Sequence, residues 1–166
     1  LEGFPYRFHS YAFSTMNNPA TFPATFLQNI HRVDSVSDAE AYISRIEKLE
    51  VAIDQLIEGI DMAVERGIVP TSFSFDPVLE DSANMVKGAP FDDSGEDNAV
   101  YADFKTKVEA LEISDVEKAR LMSEAEAALN GPYKSSYQRF IAKVESLRDQ
   151  SHGPNGVWAL PEGDDY

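Results

Sequence analysis

The chain has 166 residues, 43% of them hydrophobic, and no cysteine; this is enough for a compact domain with a real core and too apolar for disorder throughout. Its formal net charge of -15 repels phosphate backbones and anionic lipid heads, which argues against nucleic-acid and membrane-surface partners. Disulfides and thiolate metal sites are excluded, and no stretch reaches the roughly 18 apolar residues of a membrane span.

Residues 1–33 carry Arg7, Arg32 and Glu2, a net of +1, while the remainder carries -16. The same segment holds Phe4, Tyr6, Phe8, Tyr11, Phe13, Phe22 and Phe26. A near-neutral aromatic arm before an acidic body is expected either to cover the chain's own core or to contact a part of the protein beyond it. Residues 1–20 show no helical period and read as an extended arm with one short strand. Thr21 is placed to cap a short helix running to about Arg32, with Pro23 in its first turn. Phe22, Phe26, Leu27 and Ile30 are its expected inward face.

The strongest element follows. Ser37-Asp38-Ala39-Glu40 has the spacing of a capping box. Behind it Ala39, Tyr42, Ile46, Leu49, Ile53, Leu56, Ile60 and Ala63 recur at steps of three and four, one apolar stripe on a helix over 38–66. Gly67 suits a left-handed cap, and Pro70 prevents continuation. Glu50, Asp54 and Glu58 fall on the opposite side and read as a hydrated face. Asp76-Pro77 reads as a cap followed by an N1 proline, opening a helix to Lys87 with Val78, Leu79, Ala83 and Val86 inward. A polar loop spans 89–98. Tyr101, Phe104, Val108 and Leu111 mark the next helix. Ser114-Asp115-Val116-Glu117 is a second capping box, with Val116, Ala119, Met122, Ala125 and Leu129 inward behind it. Asn130-Gly131-Pro132 interrupts, and a last helix over about 133–150 presents Tyr133, Tyr137, Phe140, Ile141, Val144 and Leu147.

The reading is all-α: an antiparallel helical bundle with one long helix (about 38–66), four shorter helices following it and an extended aromatic N-terminal arm. The arm and short helix occupy 1–33, the bundle 34–151, and an extended tail 152–166 leads into a C-terminal catalytic part that these residues lack.

No self-contained chemistry stands out. His9, His31 and His152 are far apart, outside any H-E-x-x-H spacing, and are expected at surfaces, interfaces or loops. The acidic loop Asp92-Asp93-Ser94-Gly95-Glu96-Asp97 fails the calcium template, because Gly95 is fourth rather than sixth and position 12 would be Asp103. There is no G-x-S-x-G elbow and no Gly-rich phosphate loop. The tail Val157-Trp158-Ala159-Leu160-Pro161 holds the single Trp. Either Trp158 plugs a gap between helices, or Trp158, Leu160, Pro161 and Gly163 form the edge of a cleft shared with downstream sequence. Leu1 in place of Met leaves room for an upstream segment, so the lack of a visible signal peptide says little about location. Asp164-Asp165-Tyr166 lacks the look of a natural terminus.

His31-Arg32-Val33-Asp34-Ser35 with Asp38-Ala39-Glu40-Ala41-Tyr42-Ile43-Ser44-Arg45-Ile46, the helix exit Glu65-Arg66-Gly67-Ile68-Val69-Pro70, and Gly156-Val157-Trp158-Ala159-Leu160-Pro161-Glu162-Gly163 together resemble the bacterial family catalogued as domain of unknown function 885. Order and spacing agree from about residue 20 onward. The resemblance implies a mostly helical protein much longer than this chain, often an exported lipoprotein, and one that looks like a zinc metallopeptidase with an H-E-x-x-P-G-H type motif and a later Glu. In such a site zinc polarises a water and the motif Glu acts as base. No residue here corresponds to those ligands, so the resemblance carries over no catalytic or metal position and no cofactor for this chain. It implies a scaffold that walls the substrate channel of a zinc-dependent peptidase, with the downstream half of the protein as partner and a peptide as the substrate of the whole. The implied location is periplasmic or membrane-anchored, with the cytoplasm as the alternative. A different class, a non-enzymatic helical interaction module, is the competing reading.

Overall fold

The computed structural model describes residues 10–151 together with 156, 158, 160, 161 and 163. Its helices are α1 (Phe22–Ile30), α2 (Val36–Glu65), α3 (Phe75–Asn84), α4 (Ala99–Glu109), α5 (Asp115–Ala128) and α6 (Lys134–Leu147), and the described residues contain no strand. The long helix and the four helices after it stand where periodicity placed them. The short helix ends at Ile30, just before its expected limit.

α2 is the axis of the bundle. Its stripe from Ala39 through Tyr42, Ile46, Leu49 and Ile53 to Ile60 is buried, against α5, α6 and the turn joining them. Leu56 is only partly buried, at the edge of that interface. The helix ends in a Schellman closure: Gly67, at φ 78°, donates to the Val64 carbonyl at 2.9 Å and Ile68 to the Ala63 carbonyl at 2.9 Å. Ile68 is itself buried, supplying the apolar contact of that motif.

Two helix starts differ from expectation. α2 is capped by Ser35, whose Oγ accepts from the Asp38 amide at 3.2 Å and donates to Asp38 Oδ2 at 2.7 Å. Asp38 reaches back to the Asp34 amide at 3.2 Å, so the box closes two residues before Ser37 with Asp in the role of Glu. α3 begins at Phe75 after a 3-10 turn over Ser72–Ser74. Asp76 is therefore a first-turn residue, bound by Arg148 at 2.7 Å, rather than the cap. Ser114 caps α5 as expected, accepting from the Glu117 amide at 3.2 Å.

The buried faces of two later helices also shift. α3 buries Phe75, Val78 and Ser82 while Ala83 is exposed; burial of Phe75, which meets Phe13 edge-on at 5.4 Å, fixes the rotation. α5 buries Leu121, Ala125 and Ala128 and leaves Val116 81% exposed. Its sequence has apolar residues on several sides, so periodicity alone did not fix its rotation.

α5 passes into α6 through a π-helical turn, Leu129–Tyr133, where Gly131 takes a non-helical conformation. The wide turn places Tyr133 and Tyr137 in the core with ring centroids 4.8 Å apart. Tyr137 donates to the Ala20 carbonyl at 2.6 Å, and burial pushes its hydroxyl up to about 12. The Tyr133 hydroxyl is buried beside that of Tyr137, and burial raises it well above its ordinary value. Phe13 and Ala20 are fully buried, so the later part of the aromatic arm covers the chain's own core. Phe4, Tyr6 and Phe8 lie outside the described residues.

Cations fasten the acidic helices to one another. Arg139 of α6 reaches Glu50 at 3.0 Å and Asp54 at 2.8 Å on α2, and Lys143 pairs with Asp61. The supposed hydrated face of α2 is thus partly its seam with α6. Arg120 of α5 meets Glu40 at 2.8 Å as well as Glu117 and Glu124 of its own helix. These pairs are solvent-accessible and each contributes little; they bias the register of packing more than they add stability.

Ile53→Ala should lower unfolding free energy by about 2–5 kcal/mol, and Leu56→Ala by clearly less, in urea unfolding followed by circular dichroism. Tyr137→Phe strands the Ala20 carbonyl and should cost about 1–3 kcal/mol, and Tyr133→Phe should cost less, because its hydroxyl meets only that of Tyr137.

Candidate functional site

Of the tail, Trp158, Leu160, Pro161 and Gly163 are among the described residues. Trp158 is 62% exposed and does not plug a gap between helices. Its ring lies over Gly156, where an added Cβ would stand 2.4 Å from two ring carbons, so a side chain there would displace the exposed ring. Gly163 donates to the Leu160 carbonyl at 2.9 Å, and Leu160, Pro161 and Gly163 are partly exposed.

The densest polar cluster lies instead where α1, α2 and α4 meet. Tyr42 of α2 donates to Asp103 Oδ2 of α4 at 2.7 Å, and Lys107 donates to the same carboxylate at 2.7 Å. Lys107 also donates to the Leu27 and Gln28 carbonyls, each at 3.2 Å, satisfying open carbonyls at the end of α1. Its ammonium stands 5.2 Å from the Tyr42 ring centroid. Burial and the bond to Asp103 raise the Tyr42 hydroxyl well above its ordinary value, so Tyr42 is a donor and not a base.

His31, expected at a surface or interface, is buried with its ring 4.9 Å from Tyr42. Arg45 donates to Nδ1 at 2.6 Å, and Nε2 faces the Asp38 carbonyl at 3.2 Å. This pairing fixes a neutral ring with its proton on Nε2. Sequence could not assemble the cluster, since its members are drawn from three helices and a loop; the usable signal was the lone His beside the Asp38 box. His9 and His152 lie outside the described residues.

These residues do not fit zinc. Both nitrogens of His31 are engaged, and no group of three or more His, Asp or Glu is placed to hold a metal among the described residues. Asp92 of the acidic loop instead accepts from the Gly88 and Ser94 amides, each at 2.9 Å; the Ser94 hydroxyl, then these amides, lowers its pKa. The cluster is a structural knot that can orient α1.

A groove of about 430 Å³ lies between α1 and α2, lined by Phe22, Phe26, Leu27, Leu49 and Ala52, with Arg45 and Lys48 beside them. Of the face expected inward on α1 only Leu27 is buried, together with Ala24, while Phe22 is 69%, Phe26 39% and Ile30 63% exposed. The small side chains of Ala20 and Ala24 permit close approach to the bundle. Lys107 and Tyr137 then bind the backbone at either end, which sets the rotation.

Burial, then the charge of Arg45, lowers the pKa of His31 below 6.5. The folded state thus resists the proton that the unfolded chain accepts. Its stabilising contribution is complete above pH 6.5 and is lost as pH falls from there towards the lowered folded value. Melting temperatures from pH 7.5 to 5 should show this fall, and His31→Gln should flatten it; an unchanged profile in the variant would assign the fall to other groups.

No helix among the described residues is long and apolar enough to cross a membrane. No curated protein matches the chain. Its fold is similar to that of a solved structure described as "the putative lipoprotein from Colwellia psychrerythraea", with a TM-score of 0.84 at 19% identity over 95% of this chain. The chain spans only 26% of that protein's length. The family described as "Bacterial protein of unknown function (DUF885)" matches residues 2–166; the chain belongs to that family.

Proposed function

We propose that the chain is the helical scaffold portion of a longer zinc-dependent peptidase or related hydrolase. It walls a substrate channel and supports a metal-bearing part elsewhere in the polypeptide. The observation that carries this reading is the closure of its polar groups on structural partners. His31 is gripped at both nitrogens, and grouped carboxylates are turned to Arg120 and Arg139. Ion pairs that join one helix to another suit a supporting role. Zinc and a peptide substrate come from the resemblance in the helix-start and G-V-W-x-L-P-x-G motifs. In that setting Trp158, Leu160, Pro161 and Gly163 are the proposed cleft edge. An exported, lipid-anchored location accords with the description of the Colwellia protein.

A helical interaction module without chemistry is the second reading, favoured by the outward apolar face of α1. Elemental analysis separates the two. The 166-residue chain, dialysed at pH 7.5, should retain far less than one equivalent of zinc, and the longer polypeptide one equivalent together with peptidase activity. A full equivalent on this chain alone would overturn the scaffold reading. A longer polypeptide with neither zinc nor peptidase activity would favour the module.

A further inference from the structure

We propose that the exposed face of α1 and the groove beside it seat an apolar segment flanked by carboxylates, supplied by the remainder of a longer family chain. This rests on the reading that the chain is one portion of such a polypeptide.

The first argument is the orientation of α1. Phe22, Phe26 and Ile30 follow one another at steps of four and form a single stripe on the helix. An amphipathic helix on a protein surface ordinarily turns that stripe inward. Here the stripe faces solvent, while Lys107 holds the Leu27 and Gln28 carbonyls and Tyr137 the Ala20 carbonyl. The outward pose is therefore held by specific polar bonds from the bundle, and it continues into the groove floored by Leu27, Leu49 and Ala52. A contiguous apolar surface of this kind marks an interface.

The second argument is charge. In a chain of net charge -15, this groove is bordered by Arg45 and Lys48. Neither has a carboxylate partner among the described residues: Arg45 is bound to the neutral ring of His31. Of the other cations, Arg120, Arg139, Lys143 and Arg148 are paired with carboxylates, while Lys118 binds a backbone carbonyl and Lys134 lies over the Phe91 ring. The groove thus offers positive charge beside apolar surface, which a segment carrying Asp or Glu next to its apolar residues complements. A second copy docking α1 against α1 would bring like charges together.

The third argument is length. A chain matching 26% of the Colwellia protein leaves about three quarters of such a polypeptide to be placed, and the α1 groove is an apolar, oppositely charged seat for part of it.

The experiment compares the same variants in two contexts. In the 166-residue chain, the double variant F22Q/I30Q should shift the melting temperature by no more than about 2 °C, since both side chains are exposed. In the longer polypeptide that its gene encodes, the same variant should lower it by about 4 °C or more and speed amide exchange across residues 22–30 at least about tenfold. K48E should act in the same direction there, less at high salt. Equal effects in both contexts, or no effect in the longer one, overturn the proposal. So does a reading frame that stops at Tyr166. A dimer of the 166-residue chain in sedimentation that F22Q/I30Q disperses would assign the face to a second copy and equally overturn it. Zinc content is read separately: a longer polypeptide without zinc but with α1 protected would sink the peptidase reading and leave the docking one standing.

Discussion

Burial of the α2 stripe is the constraint on which the architecture depends. A helix of 30 residues is cooperative once formed, but most of its stability in a protein comes from packing its apolar side. Ile46, Ile53, Leu121, Leu129, Phe140 and Val144 are all buried in one core cluster. α5 and α6 meet α2 through almost continuous chain, because the π-helical turn bends them without a long loop. Three sides of the bundle are fixed in this way before any polar group is considered.

Polar groups then decide rotation and register. The cluster of Tyr42, Asp103, Lys107, His31 and Arg45 binds backbone as well as side chains, so it constrains where α1 stops and which way it faces. A buried network of this kind is valuable only when its members are satisfied, and an incomplete one is costly. Here the carboxylate, the ammonium and both imidazole nitrogens have partners. Deeper in the core the Tyr133 hydroxyl meets that of Tyr137, and its ring packs against Phe91 at a centroid distance of 5.9 Å.

The existence and order of the helices were legible because the stripe periods are long and the stop signals sharp, as at Gly67. The facing of a helix was legible only where its apolar residues lie on one side. α6 and the turn before it met that condition, with Tyr133, Tyr137, Phe140, Val144 and Leu147 buried as expected and Ile141 half-buried. On α1 Leu27 is buried as expected but Phe22, Phe26 and Ile30 are not, since periodicity identifies a face and not what covers it. Caps shifted because serine recurs at 35 and 37 and either can accept from an amide three residues on. The polar knot was invisible in sequence for a different reason: Lys107 lies 80 residues from Leu27, and no local pattern links them. The tail motif announced its family more clearly than its geometry.

The segment between α3 and α4 closes at its base. Gly88, at φ 82°, brings Ala89 close enough to donate to the Glu96 carbonyl at 2.7 Å, and Asn98 donates back to Ala89 at 2.9 Å. The Asn98 side chain accepts from the Val100 amide at 3.0 Å and donates to the Met85 and Lys87 carbonyls at 3.1 and 3.0 Å. Such a clasp isolates Asp93–Gly95 mechanically from the helices. Insertions, deletions or attached groups at that loop tip should therefore leave the bundle undisturbed, whereas changes at the clasp should reach the helices it joins.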